Sequence, residues 1–196
     1  MTIAVIDRPV TAGGEETILT AIEAPDAALA IWTRRLPPLF QAILATLDLD
    51  RLDDVVIDLD AGTPIHAALA DAGYPDDAAA LLAADIDRLV HCQSRLTGVQ
   101  RLTVKLEVIE TDACRRFHAD YVTLRLLCTY IGPATQWRHA DAPETIHALA
   151  TGDVGVFKGR RRLDPPPILH RSPPILATGG RRLLLVIDPA RSPDDL

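Results

Sequence analysis

Two hydrophobic rhythms run along this chain, and they change over near residue 98. Before it, apolar side chains recur at helical spacing within Ala-rich runs. From Pro75-Asp76-Asp77 to about Leu96, the residues Leu81, Leu82, Ile86, Leu89 and Val90 fit a 3.6-residue period and predict the longest helix. Gly98 stands where a left-handed C-terminal cap is expected. Three shorter helices are predicted upstream. Asp26 is a plausible N-cap for one over residues 27–35. Pro37-Pro38 breaks it, and residues 39–47 continue as a second. Thr63-Pro64 opens a third through Ala72, with proline at the first helical position. Val55-Val56-Ile57 fits a short strand or a helix end.

After Gly98 the period becomes two. Leu102, Val104, Leu106 and Val108 share one face of a strand over 102–109. Short apolar runs follow at 117–120, 124–131, 154–157, 168–170 and 183–187, divided by Gly, Pro and Asp. Gly132-Pro133 and Gly152-Asp153 read as turns. Many short, close strands predict a small β-barrel or sandwich. The expected class is α+β, with a helical segment over 1–98 packed outside a β domain over 99–190. A loosely held tail is expected over 191–196.

Composition narrows the function classes. Hydrophobic residues make up 48% of the chain and aromatics 4%, so the core rests on Ala, Leu, Val and Ile. A net charge of −7 argues against nucleic-acid or anionic-membrane binding. Residues 1–98 hold 16 acidic and 6 basic side chains, whereas residues 99–196 hold 11 and 14. The second half therefore tolerates an anionic small molecule better. Cys92, Cys114 and Cys128 form no C-x-x-C pair, which suggests reduced thiols and a cytoplasmic setting. No basic segment with a long apolar run opens the chain, and no stretch has the length of a membrane span. Exposed strand edges make a homodimer reasonable.

The candidate chemistry lies in the β half. His118 and Asp120 are two apart, which on a strand puts both side chains on one face. His170 follows in a later strand, 49 residues separating it from Asp120. Two imidazoles and one carboxylate can hold Fe(II) on one face and leave positions open for a chelating co-substrate and O2. By the same parity Tyr130 can face the ligands and offer its phenol to a co-substrate, or serve equally as ordinary barrel packing, while Arg125 faces away. Cys114 with His118 and Asp120 is an alternative, softer set for Zn(II); otherwise it is a small buried hydrophobe. His139-Ala-Asp141 repeats the H-x-D spacing in a polar loop and ranks well below.

Two segments around these residues resemble the Fe(II)/2-oxoglutarate dioxygenases. Gly152-Asp-Val-Gly-Val-Phe-Lys-Gly159 is similar to the turn and strand before their distal histidine. His170-Arg-Ser-Pro-Pro-Ile-Leu-Ala-Thr-Gly-Gly-Arg181-Arg182 is similar to the end of their motif, where a basic residue about ten positions on binds the far carboxylate of 2-oxoglutarate. The resemblance implies a double-stranded β-helix (a cupin-like jelly roll). It also implies iron ligands at His118, Asp120 and His170, and a carboxylate anchor at Arg181 or Arg182. Only one of the two arginines can face inward on a strand, and Arg181 is slightly favoured. A guanidinium meets a carboxylate through two parallel hydrogen bonds, which is the physical reason for an arginine there. The stretch from Cys114 to Trp137 also resembles a bacterial family of unknown function associated with zinc-responsive genes, a likeness covering roughly residues 100–190.

The expected function is oxidation of a C–H bond in an unknown, anionic small substrate, with 2-oxoglutarate decarboxylated to succinate. The alternative is a non-enzymatic zinc-binding or metal-handling protein using the same three residues.

Overall fold

Alternating apolar positions need cover on one face of a sheet, and here both faces are covered. The computed structural model describes residues 5–7 and 9–190. The chain begins with β1 (Val5–Asp7), β2 (Val10–Gly13), a 3-10 helix (Glu16–Glu23) and β3 (Leu29–Trp32). Then come α1 (Pro38–Leu44), a 3-10 turn (Leu49–Arg51), β4 (Val55–Asp60), α2 (His66–Asp71) and α3 (Asp76–Thr97). The remainder is β5 (Arg101–Ile109), β6 (Leu124–Ile131), β7 (Gln136–His139), β8 (His147–Ala148), β9 (Val154–Lys158), β10 (Ile168–Arg171), a 3-10 turn (Leu176–Thr178) and β11 (Arg182–Pro189).

Eight strands form one sheet in the order β1-β2-β3-β9-β6-β11-β5-β4, and three form a second in the order β10-β7-β8. Every pairing is antiparallel except β2 with β3. The central strand β11 shows the layering. Leu183, Leu185 and Ile187 point into a core shared with Leu82, Ile86 and Leu89 of α3. Leu184 and Val186 point the other way, into a smaller core with Leu127, Trp137, Phe157 and Ile168. Helices thus cover one face, and the small sheet lies over part of the other. Gln93 ties α3 to the sheet, its Nε2 donating to the carbonyls of Leu124 and Ile187 at 3.1 and 3.3 Å.

The long helix ends at Gly98, whose φ of 72° is the left-handed cap expected of it. The helix expected over 27–35 is instead β3. Leu29 and Ile31 face the smaller core while Ala30 and Trp32 face the larger. A strand buried on both faces loses the apolar/polar alternation that marks strands, and its flanking prolines punctuate strand and helix equally well. Residues 117–120 form no strand; His118 makes one isolated bridge. Half of the large sheet comes from before Gly98, so the layers do not follow the expected division at that residue. The expected tail at 191–196 lies outside the described residues. No helix is long and apolar enough to cross a membrane among the described residues.

An ion pair with little exposure ties β3 to α3 behind the sheet. Arg34, just after β3, pairs with both carboxylate oxygens of Asp85 on α3 at 2.5 and 2.7 Å. The Tyr130 hydroxyl donates to the same carboxylate at 2.7 Å, and Arg34 Nε donates to the Gly152 carbonyl at 2.7 Å. Replacing Asp85 with Ala strands a buried guanidinium and a phenol. Urea denaturation of Asp85→Ala is expected to show a loss of about 3–5 kcal/mol.

Candidate metal centre

The segment between β5 and β6 is held against β10 by backbone bonds, and these place the site. His118 and His170 exchange both backbone hydrogen bonds, at 3.0 and 2.8 Å. The Ser172 amide donates to the Cys114 carbonyl at 3.0 Å, and Asp112 Oδ1 accepts from the amides of Ile175 and Leu176 at 2.8 and 3.1 Å. Directly paired residues send their side chains to the same side. The two imidazoles therefore lie together, ring centres 4.8 Å apart. Asp120 joins them, and one ligand atom from each of the three residues lies within 4.8 Å of the others.

Each member is oriented by a neighbour. His118 Nδ1 donates to the Arg116 carbonyl at 2.8 Å, which leaves Nε2 as the free lone pair. His170 is buried, with the Phe157 ring 4.7 Å away. Asp120 Oδ1 takes Arg125 Nη1 at 2.7 Å. Asp120 Oδ2 lies 2.9 Å from His170 Nε2, but the contact lacks hydrogen-bond alignment, so Oδ2 is a buried carboxylate oxygen without a hydrogen bond. Such an orphan is costly unless a cation satisfies it. Burial alone would raise the Asp120 carboxyl, but His118, His170 and Arg125 beside it hold it well below the usual carboxylate range. Burial lowers His170, which favours the neutral ring that can bind a metal; Asp120 beside His118 raises that ring. A charged oxygen and two imidazole nitrogens, converging and partly desolvated, fit a divalent metal ion. Among the described residues this is the one group of three or more His, Cys, Asp or Glu with that convergence.

A cavity of about 460 Å³ opens beside the triad, walled by His118, His170, Arg125, Thr135 and Ser172. That size suits a small molecule. Arg182 lies behind this wall, fully buried. Its Nη1 donates to Ser172 Oγ at 2.8 Å, its Nη2 to the hydroxyls of Thr129 and Thr135 at 3.3 and 3.4 Å, and its Nε to the Pro133 carbonyl at 2.6 Å. No carboxylate among the described residues pairs with it, and burial pulls it down to about 10.

The other expected residues are placed differently. Arg181 turns outward to Asp50 and Glu110, at 2.6 and 3.0 Å. Strand β11 begins at Arg182, and Arg182 has the parity of Leu184 and Val186, so it is the inward arginine. Tyr130 points into the helix-covered core at Asp85, away from the cavity. Residues 121–123 bend rather than extend, so strand parity does not carry from Asp120 to Tyr130. The same bend brings Arg125 to the site, where it was expected to face away. Arg125 also holds Asp188 with two bonds of 2.8 and 2.6 Å. Arg125 and Asp188, each set among apolar neighbours of its strand, are the sequence signal for that pair. Cys114 lines the cavity but is exposed rather than buried. His139 sits beside Trp137 and His147, apart from the triad cluster.

Arg125→Gln is expected to weaken divalent-metal binding by about 10–100-fold, because Asp120 loses the partner that fixes its carboxylate. Tyr130→Phe leaves metal affinity unchanged. Titration calorimetry with Mn(II) separates the two outcomes.

Known structures share this fold at low identity. A candidate oxygenase from Shewanella oneidensis matches with a TM-score of 0.52 and 12% identity, over 91% of this chain and 87% of that one. A rice dioxygenase for auxin oxidation matches at 0.51 and 15% identity, over 84% and 74%. A Pseudomonas putida prolyl-4-hydroxylase matches at 0.49 and 17% identity, over 90% and 98%. No curated protein sequence matches the chain. One family model, described as a protein of unknown function (DUF1826), matches residues 13–188.

Proposed function

The chain belongs to the DUF1826 family of proteins of unknown function, and we propose that it is an Fe(II)/2-oxoglutarate-dependent oxygenase acting on a small molecule. The observation that carries this reading is Arg182, a buried guanidinium without an anion, behind the wall of the cavity that also meets the triad. A metal triad alone fits many chemistries. A triad beside a cavity, with an unpaired buried cation behind that cavity's wall, suits a ligand with a chelating end and a carboxylate end. 2-Oxoglutarate has both. The fold shared with the rice dioxygenase and the Shewanella candidate oxygenase agrees with this assignment.

His118, Asp120 and His170 would hold the metal, and Arg125 occupies Asp120 Oδ1, which leaves Oδ2 as the carboxylate atom free to bind it. When bound, Fe(II) with 2-oxoglutarate supplies the activation of O2 for C–H oxidation. Arg182 would supply the positive charge for the far carboxylate from behind Ser172 and Thr135, the two cavity-wall hydroxyls it holds. Leu127, Leu184 and Val186 give the cavity an apolar floor that limits water near the metal. Cys114 lines the same cavity but stands outside the convergent ligand group, so a Zn(II) site there would rest on the same three residues.

Arg182→Met is expected to weaken 2-oxoglutarate binding by about 100-fold while metal binding persists, the cost of losing a charged, buried hydrogen-bonding partner. Arg181→Gln has no such effect, and His170→Ala loses the metal. Anaerobic calorimetry with Fe(II), then 2-oxoglutarate, reads all three. Tight Zn(II) on the same three residues, with no 2-oxoglutarate binding, overturns the oxygenase reading.

A further inference from the structure

The far wall of the cavity carries charges that the proposed metal and 2-oxoglutarate sites leave unused. On β5 the residues Leu102, Val104 and Leu106 point into the large core. Alternation sends Lys105 and Glu107 to the other face, where both line the cavity. The two are half-buried, and neither makes an ion pair or side-chain hydrogen bond with a described residue. The cavity's other charges are engaged. Arg125 is held by Asp188 and Asp120, and Glu110 by Arg181. Arg171 donates to Gln136 Oε1 at 2.8 Å and stacks on Phe117 with its guanidinium 4.4 Å from the ring centre.

Between this charged pair and the triad lies apolar ground. Lys105 is paired in register with Val186 and Glu107 with Leu184 on β11. Across β11, Val186 is paired with Leu127 on β6, and two residues before Leu127 stands Arg125 at the triad. The wall therefore reads from one end as a cation and an anion, then aliphatic side chains, then the metal ligands. Positions i and i+2 of a strand are about 6.6 Å apart. Unlike charges at that spacing, left unjoined in a concave site, can flank a ligand that carries an ammonium and a carboxylate together.

We propose that the cavity binds an amphoteric small molecule of α-amino-acid type, its carboxylate on Lys105, its ammonium on Glu107 and its side chain over Leu127, Leu184 and Val186 toward His118 and His170. Both wall charges gain a charge-assisted partner in a partly desolvated setting, where such bonds are strongest. The role of this ligand as the oxidised substrate rests on the oxygenase reading; its binding does not.

The test is titration calorimetry of the twenty standard α-amino acids, one at a time, on the full chain. Each is run with Mn(II) and 2-oxoglutarate present and again without metal. For the tightest binder, the deaminated acid and the decarboxylated amine follow. At least one amino acid is expected to bind, and each truncated analogue to bind about tenfold or more weakly. Lys105→Gln is expected to weaken the amino acid and the acid but not the amine; Glu107→Gln weakens the amino acid and the amine but not the acid. Circular dichroism checks that both variants fold. If metal and 2-oxoglutarate bind but no amino acid does, or if affinity ignores both substitutions, the amino-acid assignment is overturned and the oxygenase reading stands. A deaminated acid that binds tighter than its parent makes the ligand a simple anion and also overturns the assignment. Amino-acid binding by protein that takes neither metal nor 2-oxoglutarate upholds the assignment and removes the oxygenase reading.

Discussion

Strand β11 has two covered faces, and its side-chain parity decides what each face does. Leu183, Leu185 and Ile187 anchor the helices, while Arg182, Leu184 and Val186 build the cavity side. A slip of one residue would exchange the two sets and put a guanidinium under α3. The register is fixed near its start. Gly132 (φ 81°) lets the chain pass close to Arg181, whose carbonyl oxygen would lie 2.0 Å from any Cβ added there. The pairing of β11 with β6 then shifts register between Leu183 and Leu184, passing over Tyr130 of β6. Backbone geometry, more than side-chain chemistry, therefore selects which arginine is buried.

Three arginines show how the same group takes different roles by what faces it. Arg34 meets Asp85 behind the sheet and serves the packing of α3. Arg125 meets Asp188 and Asp120 and serves to hold one oxygen of a candidate ligand. Arg182 meets only hydroxyls and a carbonyl. Burial raises the cost of a cation, so the two paired arginines have their charge offset while the third is held by neutral acceptors alone.

The sequence announced regular elements well and irregular joints poorly. Strand β6 was legible at both ends, and α3 to within a residue or two, because periodicity ran unbroken and Pro75 and Gly98 punctuated the helix. Strand β3 is indistinct from a helix in sequence because Leu29-Ala-Ile-Trp32 is apolar throughout and one of its two partners, β9, lies far along the chain. At the site, residue types and spacing pointed to His118, Asp120 and His170, which the fold brings together. Parity failed wherever it was carried across a bend. Residues 121–123 broke the count from Asp120, which sent Tyr130 to the wrong face and hid Arg125. The choice between Arg181 and Arg182 needed the first residue of β11, and propensity rules leave strand ends uncertain.

The bridge between His118 and His170 has a consequence for folding. Two histidines separated by 51 residues are joined directly by one pair of backbone bonds, and half of the loop that carries one of them is exposed. Such a junction opens more readily than the sheet behind it. An ion held by both imidazoles and Asp120 would clamp the junction from the side-chain direction, adding its binding free energy to local stability. Protection of the His118 and His170 amides from hydrogen exchange would then rise with metal occupancy, making this one bridge a reporter of the ion's presence.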